Sequence, residues 1–196
     1  MSNFYFFARK KLEKLAIKDR ERSYRPLGQT GSVLFIFDGG VNGCEEAIRS
    51  LCKHLDHLAL DYKGICLDLK RKQKVGDWIH QFPQIERLTR RNLTLLGAPF
   101  KKKNPSIQAL ADRQFGLLLN LTVNSSYAEA CLTAASHAKL KVGLKNAENK
   151  TLRQAYDICF AYQANPDASL ENAFEFPQWT EKIIHYLTHI KANTND

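Results

Sequence analysis

Two copies of a strand–turn–helix pattern constrain the fold of this chain more than any other feature of its sequence. The first copy, residues 32–55 (SVLFIFDGGVNGCEEAIRSLCKHL), opens with a continuous apolar run at residues 33–37. Such a run is typical of a strand that is buried on both faces of a parallel sheet. The second copy, residues 115–144 (FGLLLNLTVNSSYAEACLTAASHAKLKVGL), follows the same order. Strands that alternate with helices predict an α/β fold with right-handed crossovers and a largely parallel sheet.

The remaining segments continue this alternation. Apolar runs predict further strands at residues 64–69, 93–96, 141–144 and 156–162. Helices are expected at residues 44–57, 77–90, 106–113, 127–139 and 168–190. Pro83 is expected to interrupt the second of these helices and Pro177 to break the last. Ser126 and Glu129 form the capping-box pattern S-x-x-E at the start of the 127–139 helix. We therefore predict one Rossmann-like domain over residues 32–196, with a mostly parallel sheet flanked by helices.

Residues 1–25 are predicted to form a basic helical arm outside this domain. The apolar side chains of residues 3–22 have the spacing of an amphipathic helix, and Lys and Arg surround them. In one interpretation, which we favour, the aromatic residues 4–7 pack on the domain, because proteins usually bury such side chains. In the other, the arm contacts an anionic membrane surface or nucleic acid. That contact would use Arg9, Lys10, Lys11, Lys14 and Lys18.

The charge of the chain is high and unevenly distributed. Lys and Arg number 29 against 20 Asp and Glu, which gives a formal net charge of +9. Residues 1–25 hold eight basic residues against three acidic ones. A basic surface attracts nucleic acid, anionic lipid or phosphorylated ligands, and it equally keeps a protein in solution. The charge alone does not choose among these roles.

Length, hydrophobicity and cysteine content predict a cytoplasmic protein. A chain of 196 residues suits one domain with a substantial core. No apolar run approaches the roughly 20 residues that span a bilayer, and the N-terminus places its aromatic residues before its charges, unlike a secretory signal. The cysteines include no C-x-x-C pair, which favours reduced, buried thiols over a zinc or redox site. They are Cys44, Cys52, Cys66, Cys131 and Cys159.

The predicted ligand site lies where the two strand–turn–helix units meet. In open parallel sheets, ligands bind beyond the carboxyl ends of the strands, where the strand order reverses. With a Rossmann-like order the first and fourth strands are neighbours, so the loops that follow them face each other across a crevice. Glycine backbone and two helix N-termini would hold a small anionic ligand there. The residues are Asp38, Gly39, Gly40, Gly43, Thr122, Asn124, Ser125 and Ser126. The alternative is that Gly39 and Gly40 only permit a tight turn.

Several patterns that would carry a specific chemistry are incomplete. The glycine spacing G-G-x-x-G departs from the dinucleotide pattern G-x-G-x-x-G, although Asp68 ends the second strand where a ribose-binding carboxylate would lie. Ile36 occupies the nucleophile's position of the phosphotransfer pattern D-x-D-G-T. His185 and His189 are four residues apart, but the zinc pattern H-E-x-x-H is missing, and a place near a helix C-terminus accounts for both. The sequence therefore predicts no catalytic residue and no metal ligand, and it leaves the cofactor open.

The chain resembles two known families, the first over nearly its whole length, including the basic N-terminal helix, and the second over part of its second half. The pattern FGLLLNLT…LTAASHAKLKVGL, followed by YDICF and a C-terminal helix ending in HYLTHIK, resembles a family of small uncharacterised proteins from Bacteroidetes-type bacteria. Residues 115–144 are also similar to part of the N-terminal half of heptosyltransferase-type (GT-B) glycosyltransferases, where a strand, a helix and a short K-V-G strand follow in that order. The first resemblance implies a fold and no activity. The second makes a partial sugar- or nucleotide-phosphate transferase the alternative to a non-enzymatic protein that binds an anionic ligand.

Overall fold

The protein folds around a six-stranded sheet. The computed structural model describes residues 12, 20–69, 75–94, 97–99, 104–123, 126–145, 155–161 and 176–191. The strands in these residues are β1 (Ser32–Asp38), β2 (Asp61–Asp68), β3 (Ile85–Thr89), β4 (Leu117–Asn120), β5 (Leu140–Lys145) and β6 (Ile158–Ala161). They are ordered β3-β2-β1-β4-β5-β6, and every neighbouring pair is parallel. The predicted α/β, Rossmann-like fold is confirmed.

Four helices in the described part of the chain flank the sheet. They are α1 (Cys44–His57), α2 (Pro105–Asp112), α3 (Tyr127–Ala135) and α4 (Phe176–His189). The apolar side chains of α1 and α4 belong to one buried cluster, and those of α2 and α3 belong to another. The two pairs of helices therefore cover opposite faces of the sheet. None of the described helices combines the length and the apolarity that crossing a membrane requires.

β1 is the central strand of the core. Each side chain of residues 33–37 is at most 1% exposed. Val33, Phe35 and Phe37 face the cluster of α1 and α4, whereas Leu34 and Ile36 face the cluster of α2 and α3. Burial on both faces explains why the sequence of this strand is continuously apolar instead of alternating.

The prediction of a helix within residues 77–90, interrupted near Pro83, is confirmed only as a short 3-10 helix before Pro83 and is wrong for residues 85–89. The chain forms a 3-10 turn at Asp77–Gln81 and then enters β3 at Ile85–Thr89. Pro83 disfavours a continuous helix, because proline lacks an amide donor and its ring clashes with the preceding turn. The segment that follows is held extended by β2, in a register that runs from Gly64 opposite Ile85 to Asp68 opposite Thr89.

The prediction of a strand at residues 93–96 is wrong for the residues that the structure describes. A second 3-10 turn, Arg90–Asn92, follows β3 directly, and neither Leu93 nor Thr94 lies in a strand. The Thr89 N–H donates to Asn92 Oδ1 at 2.9 Å, which closes this turn. Residues 95–96 lie outside the described residues.

Two helices have limits that differ from the prediction. α3 ends at Ala135, about four residues earlier than expected, and residues 136–139 lead into β5 without helical structure. Pro177 does not break α4, because it lies in the first turn of the helix, which begins at Phe176. Proline is tolerated there, since the first amides of a helix have no intrahelical partner. Residues 168–175 of the predicted helix lie outside the described residues.

The described part of the N-terminal segment contacts the domain. Arg20 donates to the carbonyl oxygens of Ala138 and Lys139 at 2.9 and 2.8 Å, and it pairs with Asp157. Leu12 is 8% exposed and packs in a cluster with Ala98, Ala130, Cys131 and Ala134. Leu12 and Arg20 therefore contact the domain, whereas the aromatic residues 4–7 lie outside the described residues and their packing stays a prediction. The division into an arm and a domain stays a prediction, as does binding of an anionic surface, because Arg9, Lys10, Lys11, Lys14 and Lys18 lie outside the described residues.

Gly116 provides a test of the packing at the start of β4. A Cβ atom at this position would overlap the backbone carbonyl oxygen of Thr30. We expect Gly116→Ala to lower the free energy of unfolding by about 2 kcal/mol or more, as measured by urea denaturation. Gly28→Ala is the matched control, because its Cβ would lie 3.8 Å from Leu58 Cδ2, an ordinary contact. Equal unfolding midpoints for the two variants would contradict this packing.

Candidate functional site

The strand order of the sheet reverses between β1 and β4. β1 pairs with β2 on one side and with β4 on the other, where Ile36 lies opposite Asn120. The Leu121 N–H extends this pairing by donating to the Ile36 carbonyl oxygen at 2.8 Å. The connections after β1 and β4 therefore start side by side at the carboxyl edge of the sheet. They lead to α1 and α3 on opposite faces, the arrangement that forms a crevice in open α/β sheets.

Asp38 ends β1 and shapes the turn that follows. Its side chain is 8% exposed, and its Oδ1 accepts a hydrogen bond from the Gly40 N–H at 3.2 Å. The Asp38 carbonyl oxygen accepts another from the Val41 N–H at 3.4 Å. Short acidic side chains commonly stabilise turns in this way. Asp38 thus fixes the turn and places a carboxylate where the strand order reverses.

The packing of the sheet accounts for Gly39 without a ligand. The Gly39 N–H donates to the Leu67 carbonyl oxygen at 3.2 Å, which extends the pairing of β1 with β2. A Cβ atom would lie 2.5 Å from Cys66 Sγ and 2.6 Å from Val75 Cγ2. Any larger residue would therefore collide with buried side chains. This observation favours the tight-turn interpretation for Gly39.

Gly43 is required by the backbone conformation and by α4. It is the N-cap of α1 with φ of 73°, and no side chain caps this end of the helix. A Cβ atom would lie 2.8 Å from Pro177 Cδ in the first turn of α4. Glu45 and Glu46 lie exposed in the first turn of α1, where negative charge interacts favourably with the helix dipole.

The connection after β4 is held by a buried asparagine that the sequence analysis does not single out. Asn120 is 1% exposed, and its Oδ1 accepts from the Thr122 N–H at 2.9 Å and the Thr122 hydroxyl at 2.7 Å. Its Nδ2 donates to Glu129 Oε1 at 2.7 Å and to the Tyr156 hydroxyl at 2.5 Å, and Thr133 Oγ1 lies 3.2 Å from the same nitrogen. One side chain thus joins the end of β4 to α3 and to the turn before β6. The polar residue inside the run LLLNL is the available signal in the sequence.

The predicted capping box at the start of α3 is confirmed. The Glu129 N–H donates to Ser126 Oγ at 3.1 Å, and the Ser126 N–H donates to Glu129 Oε2 at 3.0 Å. Glu129 is 3% exposed, and this burial raises the pKa of its carboxyl, while hydrogen bonds from Ser126, Thr122 and Asn120 act in the opposite direction. The amino end of α3 is therefore capped by its own residues, unlike that of α1. Asn124 and Ser125 lie outside the described residues.

A buried lysine on β5 contacts the other end of α3. Lys141 is 2% exposed, and its Nζ donates to the carbonyl oxygens of Thr133 at 2.7 Å and Ala134 at 3.4 Å. These carbonyl groups belong to the last turn of α3, where a cation interacts favourably with the helix dipole. Burial lowers the pKa of Lys141 to about 8. The sequence analysis does not identify this residue.

The two cysteines nearest the β1 connection are protonated thiols. Cys44 is 3% exposed and Cys66 is fully buried. Burial raises the pKa of Cys66 to about 12 and that of Cys44 far above its usual value. The thiolate is the reactive form of cysteine, so neither residue is a nucleophile near neutral pH. The five cysteines all lie within the described residues, and none of them forms a disulfide bond.

Asp68 and the histidine pair have local partners. Arg87 on β3 pairs with Asp68 on β2, with 2.7 Å between Nη2 and Oδ2. His189 Nδ1 lies 2.8 Å from the His185 carbonyl oxygen, near the end of α4. Across the ranges that the structure describes, no three His, Cys, Asp or Glu residues are grouped as metal ligands would be.

Replacing Asn120 tests the polar network. We expect Asn120→Ala to lower the free energy of unfolding by about 2 to 4 kcal/mol, because the Thr122 N–H and the Glu129 carboxyl lose a partner in a buried place. The control is Asn42→Ala, in the exposed turn after β1. This substitution should change the free energy of unfolding by about 0.5 kcal/mol or less. Urea denaturation of both variants measures the difference. A similar small effect at both positions would show that the network contributes little.

The lowered pKa of Lys141 predicts a pH dependence of stability. The unfolded chain binds the Lys141 proton more tightly than the folded chain does. Lys141 therefore makes the free energy of unfolding rise as the pH increases from about 8, the pKa in the folded chain, towards about 10.4, the pKa of an unfolded lysine. Lys141→Met removes that contribution. We expect the free energy of unfolding of the natural chain, measured relative to the variant, to increase over this pH range. A constant difference would contradict the lowered pKa.

Comparison with known proteins identifies a family and no activity. The sequence model of a family of unknown function, DUF6913, matches residues 5–190. No curated protein and no solved structure matches the chain. The heptosyltransferase similarity and the bacterial source stay predictions. Because the match covers nearly the whole chain, this protein belongs to the family of unknown function DUF6913.

Proposed function

We propose that the protein binds a small anionic ligand, without transforming it, at the carboxyl edge of the sheet between the connections that follow β1 and β4. The observation that supports this proposal is the reversal of strand order between these two strands. Ligands of open α/β proteins bind at such a point. Asp38, Gly40 and Thr122 are the described residues that would border the ligand.

The side chains at this point favour a ligand that carries hydroxyl groups as well as an anionic group. Asp38 and Thr122 are 8% and 7% exposed, and each lies two residues beyond the paired residues Ile36 and Asn120. An ionised carboxylate only accepts hydrogen bonds, so Asp38 repels a bare anion and binds a hydroxyl donor. A phosphorylated sugar or polyol supplies both kinds of group.

The amino end of α1 is the better place for the anionic group. Gly43 leaves this end without a side-chain cap, and free amides at a helix N-terminus favour a phosphate. Ser126 and Glu129 already cap α3. Glu45 opposes an anion only weakly, because its carboxylate is exposed to solvent and pairs with Arg49 at 2.8 Å.

The nearest cysteines do not favour thiol chemistry at this site. Cys44 begins α1 and Cys66 lies beside Gly39, so both are close to the β1 connection. Burial raises the pKa of both thiols, so neither cysteine offers the thiolate that cysteine-dependent catalysis uses.

Binding of phosphorylated sugars and nucleotides by the purified protein tests the proposal. We expect at least one member of such a panel to raise the melting temperature at millimolar concentration. Asp38→Asn should lower the affinity for that ligand about tenfold or more, as measured by calorimetric titration, because a charge-assisted hydrogen bond to the ligand is lost. The amide oxygen of the variant still accepts from the Gly40 N–H, so the turn is preserved.

Asp61→Asn is the matched control, because Asp61 lies at the opposite edge of the sheet and is 56% exposed. The Asp61→Asn variant should bind the ligand with the same affinity as the natural chain. Equal weakening by both substitutions, or no stabilisation by any member of the panel, would overturn the proposal.

A further inference from the structure

The positive charge of the chain is concentrated in one segment besides the N-terminal residues. Residues 70–103 contain ten Lys and Arg against two Asp and Glu, an excess of eight positive charges. Residues 26–69 and 104–196 each contain more acidic than basic residues. A net charge that served only solubility would not be divided in this way, so the composition of the segment favours a binding role.

The described arginines of this segment lie at one edge of the sheet. β3 is the last strand of the sheet on its side and carries Arg87, and the 3-10 turn after it carries Arg90 and Arg91. All three are exposed. We call these three residues the β3 arginine surface. It lies two strands away from β1 and is separate from the crevice between β1 and β4.

Three hydrogen bonds fix the ends of the neighbouring chain segments at this surface. Arg90 Nε donates to the Leu69 carbonyl oxygen. Asn92 Nδ2 donates to Asn104 Oδ1 at 3.1 Å, and Asn104 Nδ2 donates to the Asn92 carbonyl oxygen at 2.7 Å. The sequence run Lys70-Arg71-Lys72 directly follows Leu69, and the run 101–103, three lysines, directly precedes Asn104. The residue that precedes the first basic run and the residue that follows the second therefore lie beside the arginine-bearing turn.

We propose that the β3 arginine surface binds the phosphate backbone of nucleic acid. A guanidinium group is planar, always charged and able to donate two parallel hydrogen bonds to a phosphate. Arg87 also pairs with Asp68, which orients it, and Arg90 and Arg91 extend the positive surface beyond β3. Backbone contacts of this kind bind nucleic acid through charge and without reading its sequence.

The distribution of apolar side chains favours nucleic acid over a membrane. Interfacial membrane binding combines basic residues with an exposed apolar face. Among the described residues, Tyr186 is the exposed large hydrophobic side chain, and it packs edge-on against Phe160. Phe160 lies on β6, at the other edge of the sheet from β3. Within the described residues, no exposed large apolar side chain lies beside the β3 arginine surface, so its charge is the feature available for binding.

Binding of labelled RNA and DNA oligonucleotides of about 20 nucleotides, followed by fluorescence anisotropy at several salt concentrations, tests the inference. We expect the double variant Arg90→Gln, Arg91→Gln to bind at least about tenfold more weakly at low salt, and the slope of log affinity against log salt to decrease by about 1 to 2. The matched control is Arg49→Gln, Arg113→Gln. It removes the same charge from arginines that are each 41% exposed and lie elsewhere on the domain.

The control double variant should retain most of the affinity, and thermal unfolding should confirm that both variants are folded. Equal weakening by the two double variants would mean that net charge alone acts, which overturns the inference. So would a natural chain that binds neither RNA nor DNA at low salt. Vesicles that contain anionic lipid form a third arm of the experiment. If the natural chain binds these vesicles but not nucleic acid, and the binding depends on Arg90 and Arg91, the surface belongs to a membrane interface. That result would also overturn the inference.

Discussion

The pairing of β1 with a strand on each side is the constraint on which the rest of the structure depends. β1 is buried on both faces and pairs with β2 and β4. Its side chains join the two hydrophobic clusters that hold the helices against the sheet. Because β4 returns beside β1 after β2 and β3 have extended the sheet in the other direction, the order reverses at this strand. The position of the candidate ligand site follows from that reversal.

A buried polar network keeps the second side of the site in place. Asn120 satisfies the backbone and side chain of Thr122 and reaches Glu129 and Tyr156. Buried polar groups are costly unless they are hydrogen-bonded, so such a network favours one arrangement of the chain. The turn after β1 depends in a similar way on Asp38. The two connections that border the crevice are therefore fixed by internal contacts, and a ligand would meet a preformed surface.

The charges of the molecule divide it into two regions. Near β1 lie the carboxylates of Asp38, Glu45 and Glu46, of which Asp38 is buried and the two glutamates are exposed. At the β3 edge, Arg87, Arg90 and Arg91 continue a segment of the sequence that is strongly basic. The strand order separates these regions by the width of two strands, so a small ligand and a polyanion would use different parts of the same sheet edge.

The sequence by itself determined the α/β class, the limits of β1 and α1, and the cap of α3, because continuous apolar runs and capping residues act locally. Only the tertiary structure revealed β3, since Glu86 and Arg87 have weak strand preference and pairing with β2 keeps them extended. It likewise revealed the purpose of Gly39 and Gly43, which the side chains of Cys66, Val75 and Pro177 require. The Asn120, Glu129 and Tyr156 contacts join residues that are far apart in the chain. The polar residue in the run LLLNL marks Asn120 in the sequence, but its partners could not be predicted, because packing between separate segments brings them together.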